Sequence, residues 1–248
     1  MVNNVTPISQ LKRQIGWLGG SWKWLLQNKM VPQAGCRGRP SALDVGCGPG
    51  LVMELFSPDL DVKGIDIDPE AVSAARERGL DVIQADAADL PFDDGSFDIV
   101  YCSFTLLWVE DALQAVKEMA RVSRGVVACL AEPDYGGRVC HPPEVASLDR
   151  YIIGSLIEEG ADPFIGRRLG GLMEATGLKV ESGVHSGIWA PAQLRAEAAQ
   201  EWGSIRQAVG DRASPDELEL ARKAWDAALA ECTLFLFNPV FYAIGRKA

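Results

Sequence analysis

The sequence predicts an α/β chain built on a doubly wound, mostly parallel sheet with flanking helices. Short apolar runs at 42–45, 62–65, 81–84, 97–102 and 125–130 alternate with segments whose apolar residues recur at helical spacing. Most of these runs lead into a polar or glycine-rich loop, the place where open sheets of this class build their sites. The third observation is compositional. A chain of 248 residues with 48% hydrophobic and 23% charged side chains can bury a sizeable core, which argues against disorder.

The elements follow in order. Ala42-Leu43-Asp44-Val45 reads as a strand that reaches Gly46-Cys47-Gly48-Pro49-Gly50, after which Leu51, Val52, Leu55 and Phe56 share a helical face. Glycines permit close approach of a ligand and backbone angles that a side chain obstructs, and the helix that follows presents unpaired N–H groups. A nucleotide-like ligand explains this turn; a purely structural turn is the alternative. The strand Val62–Ile65 ends at Asp66, 20 positions beyond Gly46, where a carboxylate can accept hydrogen bonds from ribose hydroxyls. Asp68, beside Pro69, is expected to cap a helix over 69–78. A third strand over 81–84 leads to Asp86, which can accept from an exocyclic amine, and to the backbone of Ala87, which can read a base edge. Asp89 reads as a solvated turn residue. Phe97–Cys102 is a fourth strand feeding Ser103-Phe104-Thr105-Leu106-Leu107-Trp108, then come a helix over 110–122, a buried strand over 125–130 and an exit loop over 131–137.

Four segments in this order, Leu43 to Gly50, Gly64 to Pro69, Asp86-Ala87 with Asp89 to Phe92, and Phe97 to Val100, resemble successive motifs of the class I S-adenosylmethionine-dependent methyltransferases, especially the type 11 small-molecule branch. The resemblance implies a Rossmann-like methyltransferase fold of seven strands in the order 3-2-1-4-5-7-6, the last antiparallel, with strand six over 178–188 and strand seven over 234–244. It implies S-adenosyl-L-methionine as cofactor and S-adenosyl-L-homocysteine as product. The loop of Gly46, Cys47, Gly48 and Gly50 is then expected beside the methionine portion, with Asp44 orienting it. Asp66 is expected at the ribose with Ile67 adjoining, Asp86 and Ala87 at adenine, and Ser103 and Phe104 near the sulfonium. A nicotinamide dinucleotide fits less well, because its glycine pattern begun at Gly46 requires glycine at 51, where the chain has Leu51.

The acceptor is expected to be a small molecule, with no nucleic acid and no integral membrane association. The formal charge is −10, residues 51–100 alone contributing 13 acids against three bases, and such an acidic surface attracts a polyphosphate poorly. No apolar run is long enough to span a bilayer as a helix, and the first residues lack the pattern of a secretory signal, so a cytoplasmic protein is expected. The six dispersed cysteines show no metal-site spacing and are expected to be reduced, with no metal bound.

Residues 1–38 form an expected amino-terminal helical segment or lid before a methyltransferase domain over 39–248. The first 40 residues carry six bases and no acid. This basic arm, with Trp17, Trp22 and Trp24 and a hinge at Gly19-Gly20, is expected to face a separate aromatic or anionic ligand. Helices over 191–209 and 215–230, within an insertion spanning 190–233, are expected to pack or to cover the substrate. Further acceptor-contact candidates are Leu107, which stands where related chains often show histidine, and Trp108, Asp134, Tyr135 and His141. No catalytic base is assigned, and a noncatalytic S-adenosylmethionine-binding or interaction module is the alternative function. His185 reads as a structural histidine, and Arg167 and Arg168 as solvated surface.

Overall fold

The computed structural model describes residues 8–185 and 191–247. Its main sheet has seven strands: β1 (Ser41–Val45), β2 (Asp61–Asp66), β3 (Val82–Gln84), β4 (Phe97–Cys102), β5 (Ser123–Pro133), then β7 (Lys179–Val184) and β9 (Val240–Arg246). The order is β3-β2-β1-β4-β5-β9-β7, and β9 runs antiparallel to both neighbours. A second sheet pairs β6 (Val139–His141) with β8 (Phe235–Phe237).

The expected seventh strand over 234–244 is therefore two strands in two sheets. Asn238-Pro239 separates them: proline has no N–H for a ladder and restricts the residue before it, so the chain leaves the small sheet and enters the main one at Val240. The expected sixth strand is shorter than 178–188 and ends at Val184, and Ile188 lies outside the described residues.

Alternation along the strands divides the core. Leu43, Val45, Val100, Cys102 and Val127 pack against α5 (Ala112–Val122) and α8 (Ile165–Glu174). On the opposite face Ala42, Ile99, Tyr101, Val126 and Ala128 meet α1 (Ile8–Leu25), which continues through a π-helical turn (Leu26–Met30) into α2 (Val31–Ala34), and α3 (Leu51–Phe56). From this segment Leu18, Trp22, Leu25, Leu26 and Met30 are each no more than 2% exposed. The helix α4 (Pro69–Glu77) completes the layer beside β2 and β3, capped by Asp68, whose carboxylate accepts from the Glu70 N–H at 2.9 Å.

Gly19 and Gly20 lie inside continuous helix rather than at a hinge. At Gly19 a Cβ would stand 3.7 Å from Leu55 on α3, an ordinary contact distance. The basic arm is also committed within the chain. Arg13 pairs with Glu197 at 3.2 Å and Glu201 at 2.8 Å, Lys29 pairs with Glu181 at 2.7 Å, and Arg39 donates to the carbonyls of Ser57 and Leu60. Three of the six charges of the basic segment thus have partners on the protein among the described residues.

The helices α6 (Pro143–Ala146), α7 (Asp149–Glu158), α9 (Pro191–Val209) and α10 (Pro215–Ala230) enclose a separate apolar cluster around Leu148, Trp202, Val209, Trp225 and Leu236. The insertion thus has its own core. One tie to α1 is the Arg13 pair with Glu197 and Glu201 of α9.

Candidate functional site

The carboxyl ends of β1, β2, β3 and β4 bring four loops to one edge of the sheet, and the residues expected to bind the cofactor lie on or beside them. Gly46, Gly48 and Gly50 all hold left-handed backbone, at φ of 71°, 53° and 84°. Their surroundings differ. A Cβ on Gly46 would stand 2.4 Å from the Thr105 methyl and one on Gly50 would stand 2.0 Å from Leu80, whereas a Cβ on Gly48 would meet nothing within 4 Å. Gly46 and Gly50 are packed, and Gly48 borders open space.

The loop is held by its own amides. Gly46 and Cys47 donate to the Ile65 carbonyl at 2.8 and 2.9 Å, and Gly48 donates to Asp66 Oδ2 at 2.7 Å. The Asp66 carboxylate also accepts from the Asp68 N–H at 2.9 Å and has the Ile67 N–H beside it, which leaves part of its acceptor capacity open. Burial raises the Asp66 pKa, against the hydrogen bonds from Asp68 and Gly48. Beside it Ile67 is 64% exposed, an apolar side chain uncovered at the site edge. Gln84 at the end of β3 donates to the Ile67 carbonyl at 3.1 Å and so ties the second and third loops together. Asp86 is exposed and accepts from the Ala88 N–H at 2.8 Å, while Ala87 is buried.

Asp44 lies in the β1 strand directly across from Tyr101 in β4, and both are buried. The Tyr101 hydroxyl faces the Asp44 carboxylate as its hydrogen-bonding neighbour, while the Trp22 indole N–H has no hydrogen-bond partner among the described residues. Desolvation raises Asp44 to about 8. The nearby Tyr101 hydroxyl opposes that rise, and the charge of Asp66 adds to it. Buried polar groups are normally satisfied, and the Asp44 carboxylate keeps acceptor capacity beyond its Tyr101 neighbour.

Ser103 and Phe104 follow β4. Phe104 holds φ of 53°, costly for a residue with a side chain, and its ring meets Trp22 edge-on with centroids 6.3 Å apart. The next three residues are fixed by a group that sequence reasoning did not single out. Glu132, fully buried near the end of β5, accepts from the N–H groups of Thr105 at 3.0 Å, Leu106 at 2.9 Å and Leu107 at 3.2 Å. Burial raises its carboxyl to about 7, against the three N–H donors. The only local signal was an acid closing an apolar strand before Pro133. Its partners lie 25 to 27 residues earlier, beyond the reach of any short motif.

The acceptor candidates are dispersed. Trp17, Trp22 and Trp24 do not share a face: Trp22 is buried at 1% exposure, Trp17 is half-buried and Trp24 is 53% exposed. Leu107 is buried, and Trp108 is exposed at the end of the fourth loop. Asp134 is buried and engaged by Arg167 through two bonds of 2.7 Å, so both residues have structural partners. Arg168 likewise pairs with Asp162 at 2.6 Å. Tyr135 is half-buried, with its N–H on the Pro163 carbonyl at 2.8 Å. His141 is exposed on the small sheet, paired with Phe235. His185 is buried, its Nε2–H donating to the Leu130 carbonyl at 2.7 Å, and burial lowers its pKa.

Residues 43–129 match a family model described as a methyltransferase domain. The demethylmenaquinone methyltransferase of Staphylococcus aureus (strain JH9) is 35% identical over 115 residues, 42% of this chain and 48% of that protein. An uncharacterized protein in a transposon of Streptomyces fradiae is 32% identical over 164 residues, 61% of this chain and 47% of that one. The chain thus matches about half the length of these curated relatives. Among solved structures, phosphoethanolamine N-methyltransferase 2 of Haemonchus contortus, in complex with phosphomonomethylethanolamine and S-adenosylhomocysteine, superposes with a TM-score of 0.57 at 16% identity, over 91% of this chain and 52% of that one. The [4+2]-cyclase SpnF superposes with a TM-score of 0.58 at 22% identity, over 92% and 80%. At such identities the structures speak for the fold alone, and the cyclase illustrates that one fold hosts different chemistries.

Proposed function

We propose that this chain, whose residues 43–129 match a methyltransferase domain model, is a class I enzyme that transfers a methyl group from S-adenosylmethionine to a small-molecule acceptor. The observation that carries the proposal is the meeting, at one sheet edge, of open space at Gly48, spare acceptor capacity on Asp66 and exposed Ile67. In this reading Asp66 holds the ribose hydroxyls, Ile67 flanks the adenine, Asp86 and the Ala87 backbone address the adenine edge, and Gly46 to Gly50 with Ser103 and Phe104 enclose the methionine portion.

The bound cofactor supplies a methyl group already activated by a sulfonium, so the protein's task is alignment and exclusion of water. Holding two reactants in line can supply about 7–11 kcal/mol of the barrier. We assign the acceptor to the space beside the 103–108 loop and Tyr135, with residues 8–38 as a wall through Trp22 and residues 191–233 as its cover, joined at Arg13. No residue is assigned as general base: Asp134 is engaged by Arg167 and His185 by Leu130. Six free cysteines suit a reducing cytoplasm.

The test is incubation of the purified chain with methyl-labelled S-adenosylmethionine and a fractionated metabolite library. Label recovered in a small molecule is the expected result. Calorimetric cofactor binding with no transfer to any amine, hydroxyl, thiol or carbon-acid fraction would instead favour a noncatalytic binding module.

A further inference from the structure

We propose that Glu132 is a positioning residue that shapes the methionine end of the cofactor site by holding the 103–107 loop, a role that rests on the cofactor reading above. The geometry is specific. One carboxylate accepts from three consecutive backbone N–H groups, two on Oε1 and one on Oε2, at 2.9 to 3.2 Å, in a position with no solvent exposure. Charge-assisted bonds of this kind are stronger than neutral ones, and their loss leaves buried donors unpaired.

The loop so fixed is under strain and in contact with the glycine turn. Immediately before it Phe104 holds its left-handed backbone, with its N–H on the Ala131 carbonyl at 2.7 Å, one residue from Glu132. Thr105, the first residue bound by Glu132, has its hydroxyl between the Ser103 and Val45 carbonyls at 3.1 and 3.2 Å and packs its side chain against Gly46. Glu132 therefore links the end of β5 to the loop after β4, and through Thr105 to the loop after β1. Ser103 and Phe104, at the methionine end of the proposed site, directly precede the residues it holds, and Thr105 reaches back to the Ser103 carbonyl at 3.1 Å. The ribose and adenine contacts at Asp66, Asp86 and Ala87 lie on the other loops and share no hydrogen bond with it.

This division gives the test. S-adenosylhomocysteine contains the methionine-derived arm, adenosine lacks it, and both are titrated calorimetrically into wild type, Glu132→Gln and Glu132→Leu, with circular dichroism to monitor folding. Gln is isosteric, but its amide can accept at only one end and sets a donor against a backbone N–H at the other; Leu accepts nothing. The expected result is a 3- to 10-fold loss of S-adenosylhomocysteine affinity in Glu132→Gln, roughly the weight of a single lost hydrogen bond, and a larger loss in Glu132→Leu, with adenosine affinity unchanged. Hydrogen exchange at the amides of 105–107 should quicken in parallel in Glu132→Gln. Unchanged affinity for both ligands in folded Glu132→Gln would overturn the proposal. So would an equal loss for both, which is what general destabilisation predicts. Wild type that binds neither ligand would overturn the cofactor reading itself, and that outcome is visible before any variant is made.

Discussion

Gly46 and Gly48 hold the same left-handed backbone two residues apart, yet substitution should affect them differently. Alanine at either position takes on a strain of about 1–2 kcal/mol. At Gly46 it also drives a methyl into Thr105, while at Gly48 the methyl enters open space. Gly46→Ala is expected to lower the urea midpoint clearly. Gly48→Ala should remain folded and lose at least 10-fold in S-adenosylhomocysteine affinity, because its methyl occupies room assigned to the cofactor. Equal stability and equal affinity in the two variants would contradict this assignment.

A second residue-scale prediction concerns Asp44. Its pKa, raised from 3.8 to about 8 by burial, means the folded chain binds a proton more tightly than the unfolded chain. That contribution is complete below about pH 4 and is lost as pH rises through 8, since unfolding becomes easier wherever the native state holds more protons. The ionisable groups around it are Tyr101, Asp66, Cys47 and Cys102, acids all, so none supplies a positive charge that would reverse the sign. Asp44→Asn, which cannot ionise, should therefore gain on wild type as pH rises. Urea unfolding at pH 5.5 and pH 8 checks this: a difference that grows with pH by more than about 1 kcal/mol in favour of the variant agrees, taking about 1.4 kcal/mol per pKa unit. A constant difference disagrees.

At the scale of elements, the amino-terminal helix is a structural layer as well as a wall. Leu18, Trp22, Leu25, Leu26 and Met30 are all essentially buried, and each apolar side chain of this size contributes about 1.5–3 kcal/mol. Their sum is comparable to the whole stability of an ordinary domain, about 5–15 kcal/mol. Removal of residues 1–34 is expected to give a chain that aggregates or lacks a cooperative thermal transition, read by size exclusion and circular dichroism. A soluble truncated chain with an unchanged melting temperature would show that the helix contributes little to the fold. Deleting the segment is for the same reason a poor probe of acceptor contact; substitutions at Trp17 or Arg13 suit that question better.

Across the whole molecule, what could be read in the sequence was local. Asp44, the glycine turn and Asp66 each announce themselves within a few residues of a strand end, and strand order followed from the resemblance those motifs carry. The features that escaped depend on partners distant in the chain. Glu132 finds Thr105 to Leu107, Arg13 finds Glu197 and Glu201 across 184 and 188 positions, and Asp134 finds Arg167. The tryptophans of the basic segment suggested a ligand-facing arm because composition does not reveal which side of a helix meets a core. The sheet change at Asn238-Pro239 did have a local signal in its proline, masked by the apolar residues on either side.

The central claim is that the carboxyl edge of this sheet binds S-adenosylmethionine through Asp66. Calorimetric titration of S-adenosylhomocysteine into wild type and Asp66→Ala tests it most directly, with circular dichroism on both proteins. The account predicts one site per chain in wild type and at least a 10-fold weaker site in a folded variant. Part of that loss comes from the ribose contact, and part from the freed Gly48 and Asp68 amides that Asp66 now holds. Wild-type affinity in the folded variant, or no binding by folded wild type, would contradict it.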